Sequence, residues 1–453
     1  MQSATLQIHA TIVSTESRHR PHKMWQRKLT FLVPSSMPKE RQKTQSSDAT
    51  ILNTEMTDHQ KESVYTRLDF AAGMLACFVL LFAIYAPLYK EAILQPKLFF
   101  DFDPHMYLAQ IWLETGKLPG GHYLFHILAG TGAKIFGNLR VSTFVVVMAS
   151  ELLTAAILYT YIFHCTRKVF IASMVATSIM LAGPLCLFAF KDGLFHFGGY
   201  LNPNILHSPT MSVLKPVALL LFILTDLSRE NNNGIHIVVL VFLIIVSAFA
   251  KPSYIFIMLP AIVVLYAAGY RAIGLKNILI LCAACIMILL WMYASVYITQ
   301  HIDHFNDPSG NSAYNESVKI SLVPYKFSFG HMWQPSYTIV IMKNLLSLVF
   351  PLYVLIMYRD DCKKDFHFVY ACALFVFAWL SYAFLYESNH PQHGNFGWSS
   401  YTAVFLLFLE AFKILVSRFS KDARSYCGAA LLALHVIFGI GYCLKVSMGW
   451  GYV

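Results

Sequence analysis

The chain has 453 residues, 57% of them hydrophobic and only 13% charged, with a mean hydropathy of +0.54, which is more apolar surface than one soluble core can hide. A polytopic membrane protein is what remains. The formal charge of +10 sits largely in the N-terminal stretch and in short loops, so it reads as topology and excludes nucleic acid as the expected partner.

Residues 1–66 are polar, basic and rich in Ser, Thr and Gln, and they hold no apolar core of a signal peptide. Two expectations follow: a disordered cytoplasmic tail, or a chain whose true start is Met56, with MTDHQKESVYTRLDF leading into the first span. Residues 67–453 read as a single transmembrane bundle. Apolar runs near the ~20 residues that cross a bilayer fall at 69–89, 141–164, 169–190, 212–227, 234–250, 254–272, 277–298, 336–357, 366–386, 398–416 and 426–446. The expected fold is all-α, with about eleven transmembrane helices.

The stretch HYLFHILAGTGAKIFG at 122–137 is apolar but short, and it carries two histidines and a lysine. If it does not cross, the loops with Arg167 and Lys168, Arg229, Arg271 and Lys276, Arg359 with Lys363 and Lys364, and Arg418 with Lys421 and Arg424 all share the N-terminal side. The positive-inside rule then puts that side, and the N-terminus, in the cytoplasm. The stretch is therefore expected to be re-entrant or interfacial, lining a protein-walled cavity.

Polar residues then gather in outer loops at 90–140, 191–211, 299–335 and 387–397. Ten of the 18 histidines lie there: His105, His122, His126, His196, His207, His301, His304, His331, His390 and His393. Stability alone does not require such a concentration on one face, so a catalytic or binding vestibule is expected.

The first of these loops opens with FFDFDPHMYLAQIW at 99–112. Pro104 pushes the preceding residues toward an extended backbone, whose alternation aims Asp101 and Asp103 to one side. Pro104–Thr115 reads as an amphipathic helix ended by Gly116, with Asp103 as its N-cap. Two carboxylates at this spacing can share a divalent cation such as Mg or Mn. Alternatively, one deprotonates an acceptor hydroxyl while the other orients it.

A span starting near Ser212 has its N-terminus on the outer face, with Lys215 in the first turn, a setting suited to a phosphate. The alternative is a lysine snorkelling to the interface. Lys251 in AFAKPSY and Lys191 sit at other outer helix ends and suit the same role. Glu151 is the deepest ionisable group, functional or else a protonated core glutamate bonded to a neighbouring helix. His122 and His126, at i and i+4, offer one helical face to a metal, although no HExxH or cysteine ligand set accompanies them. Glu387, His390 and His393 form a loop suited to sugar hydroxyls or to base chemistry. His105 and His207 are expected on the same acceptor side.

Cys282 and Cys285 form a CxxC inside an apolar run, and no disulfide framework is implied. Asn315 lies in N-E-S, a glycosylation acceptor pattern. There is no P-loop.

An apolar first span followed by an outer Asp101-Phe102-Asp103 motif, an interfacial helix and a many-span bundle resembles the GT-C class of integral-membrane glycosyltransferases. NPNILHSPTMSVLKP and HGNFGW are also similar to segments of uncharacterised bacterial polysaccharide-locus membrane proteins. The resemblance implies a hexosyl- or pentosyltransferase that moves a sugar from a polyprenyl-phosphate carrier, usually with inversion, to a lipid-linked or polysaccharide acceptor. It implies a multi-pass protein of the bacterial inner membrane, acting on its outer face. Asp103 would be base or metal ligand, assisted by Asp101; Lys215, Lys191 or Lys251 would hold the donor phosphate. The chain departs from the class in ending shortly after its last span, which favours a small acceptor over protein. A polysaccharide polymerase or ligase, and a transporter or flippase of lipid-linked saccharides, are the rival expectations.

Overall fold

The computed structural model describes residues 58–94, 101–117, 122–187, 198–227, 234–270, 274–301, 320–326, 336–387, 395–419 and 422–448. The polar stretch expected over 1–66, with the start at Met56, lies outside these residues as far as Thr57; from Asp58 onward the chain is helical.

In chain order the helices are α1 Asp58–Leu94, α2 Phe102–Thr115, α3 Leu124–Phe136, α4 Leu139–Thr166, α5 Val169–Leu181, α6 Pro209–Leu227, α7 Gly234–Ala250, α8 Ser253–Ala267 and α9 Leu275–His301. They continue as α10 Tyr337–Ser347, α11 Val349–Met357, α12 Arg359–Lys364, α13 Phe366–Phe384, α14 Trp398–Arg418 and α15 Arg424–Ser447. Two short strands, β1 Ile320–Leu322 and β2 Leu385–Glu387, pair antiparallel with Ile320 opposite Glu387.

Helices prevail because a long apolar run can satisfy its backbone polar groups in hydrocarbon only from within itself. Six of them are long and apolar enough to cross a membrane, or seven if α10 and α11, bent by 65° about Leu348, count as one. The shorter apolar helices α3, α5, α6, α7 and α8 pack among them. The fold is thus an all-α bundle of membrane character, and length and composition alone support fewer crossings than the eleven expected. Outward apolar side chains such as Val79, Phe170, Phe242 and Ile356 fit lipid contact. α14 is the central post: 83% of its apolar window is buried, against 22% for α1 and for α9.

α5 stops at Leu181 because Ala182 turns extended ahead of Pro184. Its free carbonyls are met from outside: the Asn204 amide donates to Ile179 O at 2.6 Å and Ala182 O at 2.9 Å. α15 backs the same turn, where the Gly183 N–H donates to His435 O at 2.9 Å. Gly439 allows that approach, since a Cβ there would land on the Leu181 carbonyl oxygen. Gly439→Ala is therefore expected to cost at least the upper end of the about 1–3 kcal/mol typical of overpacking. Its readout is the thermal midpoint of the detergent-purified protein, and a midpoint equal to wild type would show that α15 can retreat.

Candidate functional site

Lys251 occupies the break between α7 and α8, which Pro252 helps to open. It is only 6% exposed. Its ammonium stands 3.8 Å from the centre of the Trp398 ring and 3.4 Å from Thr210 Oγ1. Trp398 is the first residue of α14, and its ring meets His207 at 5.4 Å and Tyr401 at 6.0 Å between centroids. Thr210 belongs to the first turn of α6, which Pro209 begins with a pre-set φ. There the Ser208 carbonyl accepts from the N–H groups of Met211 and Ser212.

Asp101 is the fourth contributor. It is the N-cap of α2, half-buried, and its charge acts on both Lys251 and His207. The first turns of α6, α8 and α14 therefore meet around one lysine, with the N-cap of α2 near enough for its charge to act there. Helix N-termini carry free N–H groups and the positive ends of the helix dipoles, so the place favours an anion.

Burial pulls the Lys251 ammonium down to about 8, with the Asp101 charge opposing the fall. Burial likewise holds His207 at about 4, again opposed by Asp101. At neutral pH the lysine is charged and the histidine is neutral. Among the described residues no carboxylate forms an ion pair with Lys251, so a buried cation stands beside neutral partners and one nearby acid. Such a cation is stabilised by an incoming anion.

Beside this centre lie three more imidazoles. His105 Nδ1 is 2.9 Å from His126 Nε2, and the His105 and His122 rings are 6.3 Å apart. Burial, then the charges of His126 and Lys251, holds His105 well below the usual range, and burial, then the charge of Lys251, holds His122 at about 3. The expected i, i+4 metal face does not form, because α3 begins only at Leu124 and leaves His122 ahead of its N-cap. His126 meets His105 of α2 instead. α3 itself is packed on α2, with Gly130 against Trp112, and on α4, where Ser142 Oγ donates to Ala129 O at 2.5 Å.

The two aspartates exchange the parts expected of them. α2 starts at Phe102, two residues earlier than the proline suggested, so the stretch is helical and not extended. A separation of two residues on a helix is about 200°, and the side chains diverge. Asp101 is turned to the cluster while Asp103 is exposed. They do not form a joint metal clamp, and Asp103 is not the cap.

Lys215 is also relocated. Because α6 begins at Pro209, Lys215 lies in the second turn, and its ammonium donates to Glu151 Oε2 of α4 at 2.7 Å. Tyr89 donates to the other oxygen of Glu151 at 3.1 Å. This buried pair answers the alternatives left for Glu151, and it commits Lys215 away from the cluster. Lys191, His390, His393 and Asn315 lie outside the described residues. Glu387 is placed by its backbone, in β2. Cys282 and Cys285 are free thiols.

At the opposite end of α14, Asp365, His367 and Glu410 bring ligand-type atoms within 4.8 Å of one another. Lys413 already stands among them, 3.0 Å from Asp365 and ion-paired to Glu410.

Trp398 and Thr210 had no role assigned from the sequence. Trp398 lies in the HGNFGW stretch, and a tryptophan following a glycine at the start of a span was the available signal. Thr210 lies in the NPNILHSPTMSVLKP stretch. No family model and no curated protein matches the chain.

Proposed function

We propose that this chain is a membrane glycosyltransferase that takes a sugar from a polyprenyl-phosphate carrier and passes it to a lipid-linked or polysaccharide acceptor. The supporting observation is the meeting of a half-buried carboxylate, Asp101, with a buried ammonium, Lys251, at converging helix N-termini. The acceptor hydroxyl gives its proton to Asp101 as its oxygen bonds to the anomeric carbon. The bond from that carbon to the phosphate oxygen breaks, its electron pair staying on the phosphate. The extra negative charge so formed faces Lys251 and the helix ends, which are preorganised for it. Trp398 and the neutral His105, His122 and His207 provide aromatic and polar walls for sugar hydroxyls.

In this reading α10 and α11 form one bent span and α3 stays in the outer half, which keeps the later basic loops on the N-terminal side as the positive-inside rule requires. Eleven crossings result, with the N-terminus cytoplasmic, in a bacterial inner membrane. The cluster then opens to the outer face, where lipid-linked donors are presented. The test is mass spectrometry of lipid-linked and surface glycans from a strain lacking the gene, with and without the wild-type copy. Loss of one defined sugar that the copy restores is the expected result. Loss of chain length alone indicates a polymerase or ligase.

A second reading, a carrier of lipid-linked saccharides, draws support from one observation. Lys215–Glu151 and Lys413–Glu410 are ion pairs inside apolar helices, and α10–α11 is a broken helix. It requires unchanged glycan structures with an accumulated lipid-linked precursor.

The ammonium of Lys251 also sets a pH limit. Its acid form, the one that binds an anion, is depleted as pH rises through about 8. Affinity for a prenyl phosphodiester is therefore expected to fall between neutral pH and about pH 9, while Lys251→Arg, charged throughout, holds it. Titrating binding against pH checks this, and parallel curves for the two proteins would contradict it.

A further inference from the structure

We propose, building on the transferase reading of this site, that its phosphodiester is held by the fixed ammonium of Lys251 with no divalent cation between phosphate and protein. Mg²⁺ and Mn²⁺ take hard oxygen ligands, usually one or two carboxylates together with the substrate phosphates. The sequence motif promises two carboxylates, but the start of α2 at Phe102 splits them: Asp101 faces the cluster and Asp103 is exposed away from it.

One carboxylate remains, and the position beside it is already charged. Lys251 is near enough for Asp101 to act on it, and a divalent ion placed beside Asp101 would be repelled by that ammonium. The other walls are poor company for a hard cation: the Trp398 face, the His207 ring, and the imidazoles of His105 and His122, which feel the Lys251 charge as well. An anion finds the reverse. It meets an ammonium and the Thr210 hydroxyl 3.4 Å from that ammonium, beside the positive dipole end of α6. Lys251 is tethered by a ring at 3.8 Å and by one hydroxyl, which orient the ammonium without neutralising it. The charge of a phosphodiester, minus one, matches the one ammonium.

The experiment uses the full chain in nanodiscs and methyl farnesyl phosphate, a singly charged prenyl phosphodiester. Its Kd is measured by calorimetry in EDTA, then with excess MgCl₂ and with MnCl₂. The expected result is the same Kd within about twofold in all three, with Lys251→Gln weakening it about tenfold or more. Lys251→Arg should retain binding, which separates loss of charge from loss of fold. Binding that appears only with Mg or Mn, and that Asp101→Asn abolishes, would overturn the proposal yet leave the anion site in place. Equal binding by wild type and Lys251→Gln, or none under any condition, would overturn both the proposal and the transferase reading on which it rests. Because the metal comparison is made on wild type, it decides even where Lys251→Gln does not fold.

Discussion

Asp101→Asn is expected to lower sugar transfer by about 10²–10⁴-fold, the range a positioned general base supplies, while Asp103→Asn stays within a few-fold of wild type. The contrast is sharp because the two residues are neighbours in one motif and share charge and size. What separates them is the first turn of α2, which caps on Asp101 and carries Asp103 to the exposed side. Asparagine is nearly isosteric and the Asp101 side chain makes no capping hydrogen bond, so loss of activity in Asp101→Asn cannot be assigned to loss of a cap. The same change also removes the acid whose field opposes the burial penalty on Lys251. A chemical role and a role in tuning the lysine separate in kinetics. Loss of the base lowers kcat, whereas a changed lysine shifts donor KM and moves the alkaline limb. The measurement is glycan mass spectrometry of complemented strains, followed by transfer assays on purified protein. Normal glycans with Asp101→Asn would remove Asp101 from the chemistry and bring the carrier reading forward.

Lys215→Met is expected to destabilise the bundle by about 3–5 kcal/mol, because it leaves Glu151 as an unpaired charge in the interior. Lys215 and Glu151 are both buried, 2.7 Å apart, on α6, whose first turn belongs to the site, and on α4. Tyr89 donates to the second oxygen, so α1 is held by the same carboxylate. The pair itself is not expected to be worth that amount. A buried ion pair replaced as a unit by apolar residues is often neutral, since the desolvation of both charges is recovered. Lys215→Met with Glu151→Leu should therefore regain most of the loss, less the cost of leaving the Tyr89 hydroxyl unmet, about 1–3 kcal/mol. Thermal midpoints of the single and double variants in detergent form the cycle. Full stability of Lys215→Met would mean that Glu151 takes up a proton and needs no lysine. A stable double variant with full transfer activity would confirm that this pair is architectural, in contrast to Lys251.

The class of fold was legible because apolar runs carry it locally. A helix in hydrocarbon satisfies its own backbone, so residues 141–164, 277–298 and 426–446 declare themselves without knowledge of their neighbours. Segment ends were less legible, since packing trims or extends them: α5 halts at Leu181, where Asn204 and α15 take over its carbonyls, although the apolar run continues to 190.

The sequence by itself determined that the chain is an apolar helical bundle and that carboxylate, lysine and histidine cluster in loops between its helices. It also placed Asp101, His105, His207 and Lys251 in stretches worth bringing together. Only the tertiary structure set Asp101, and not the exposed Asp103, where its charge reaches Lys251, and paired Lys215 with Glu151. The reason is rotational: each residue turns a helix by about 100°, so a start two or three residues earlier redirects every side chain after it. Where a helix starts is settled by what its first turn packs against. For α2 that is Tyr89, whose ring meets Phe102, and Phe125 and His126 of α3, which meet His105.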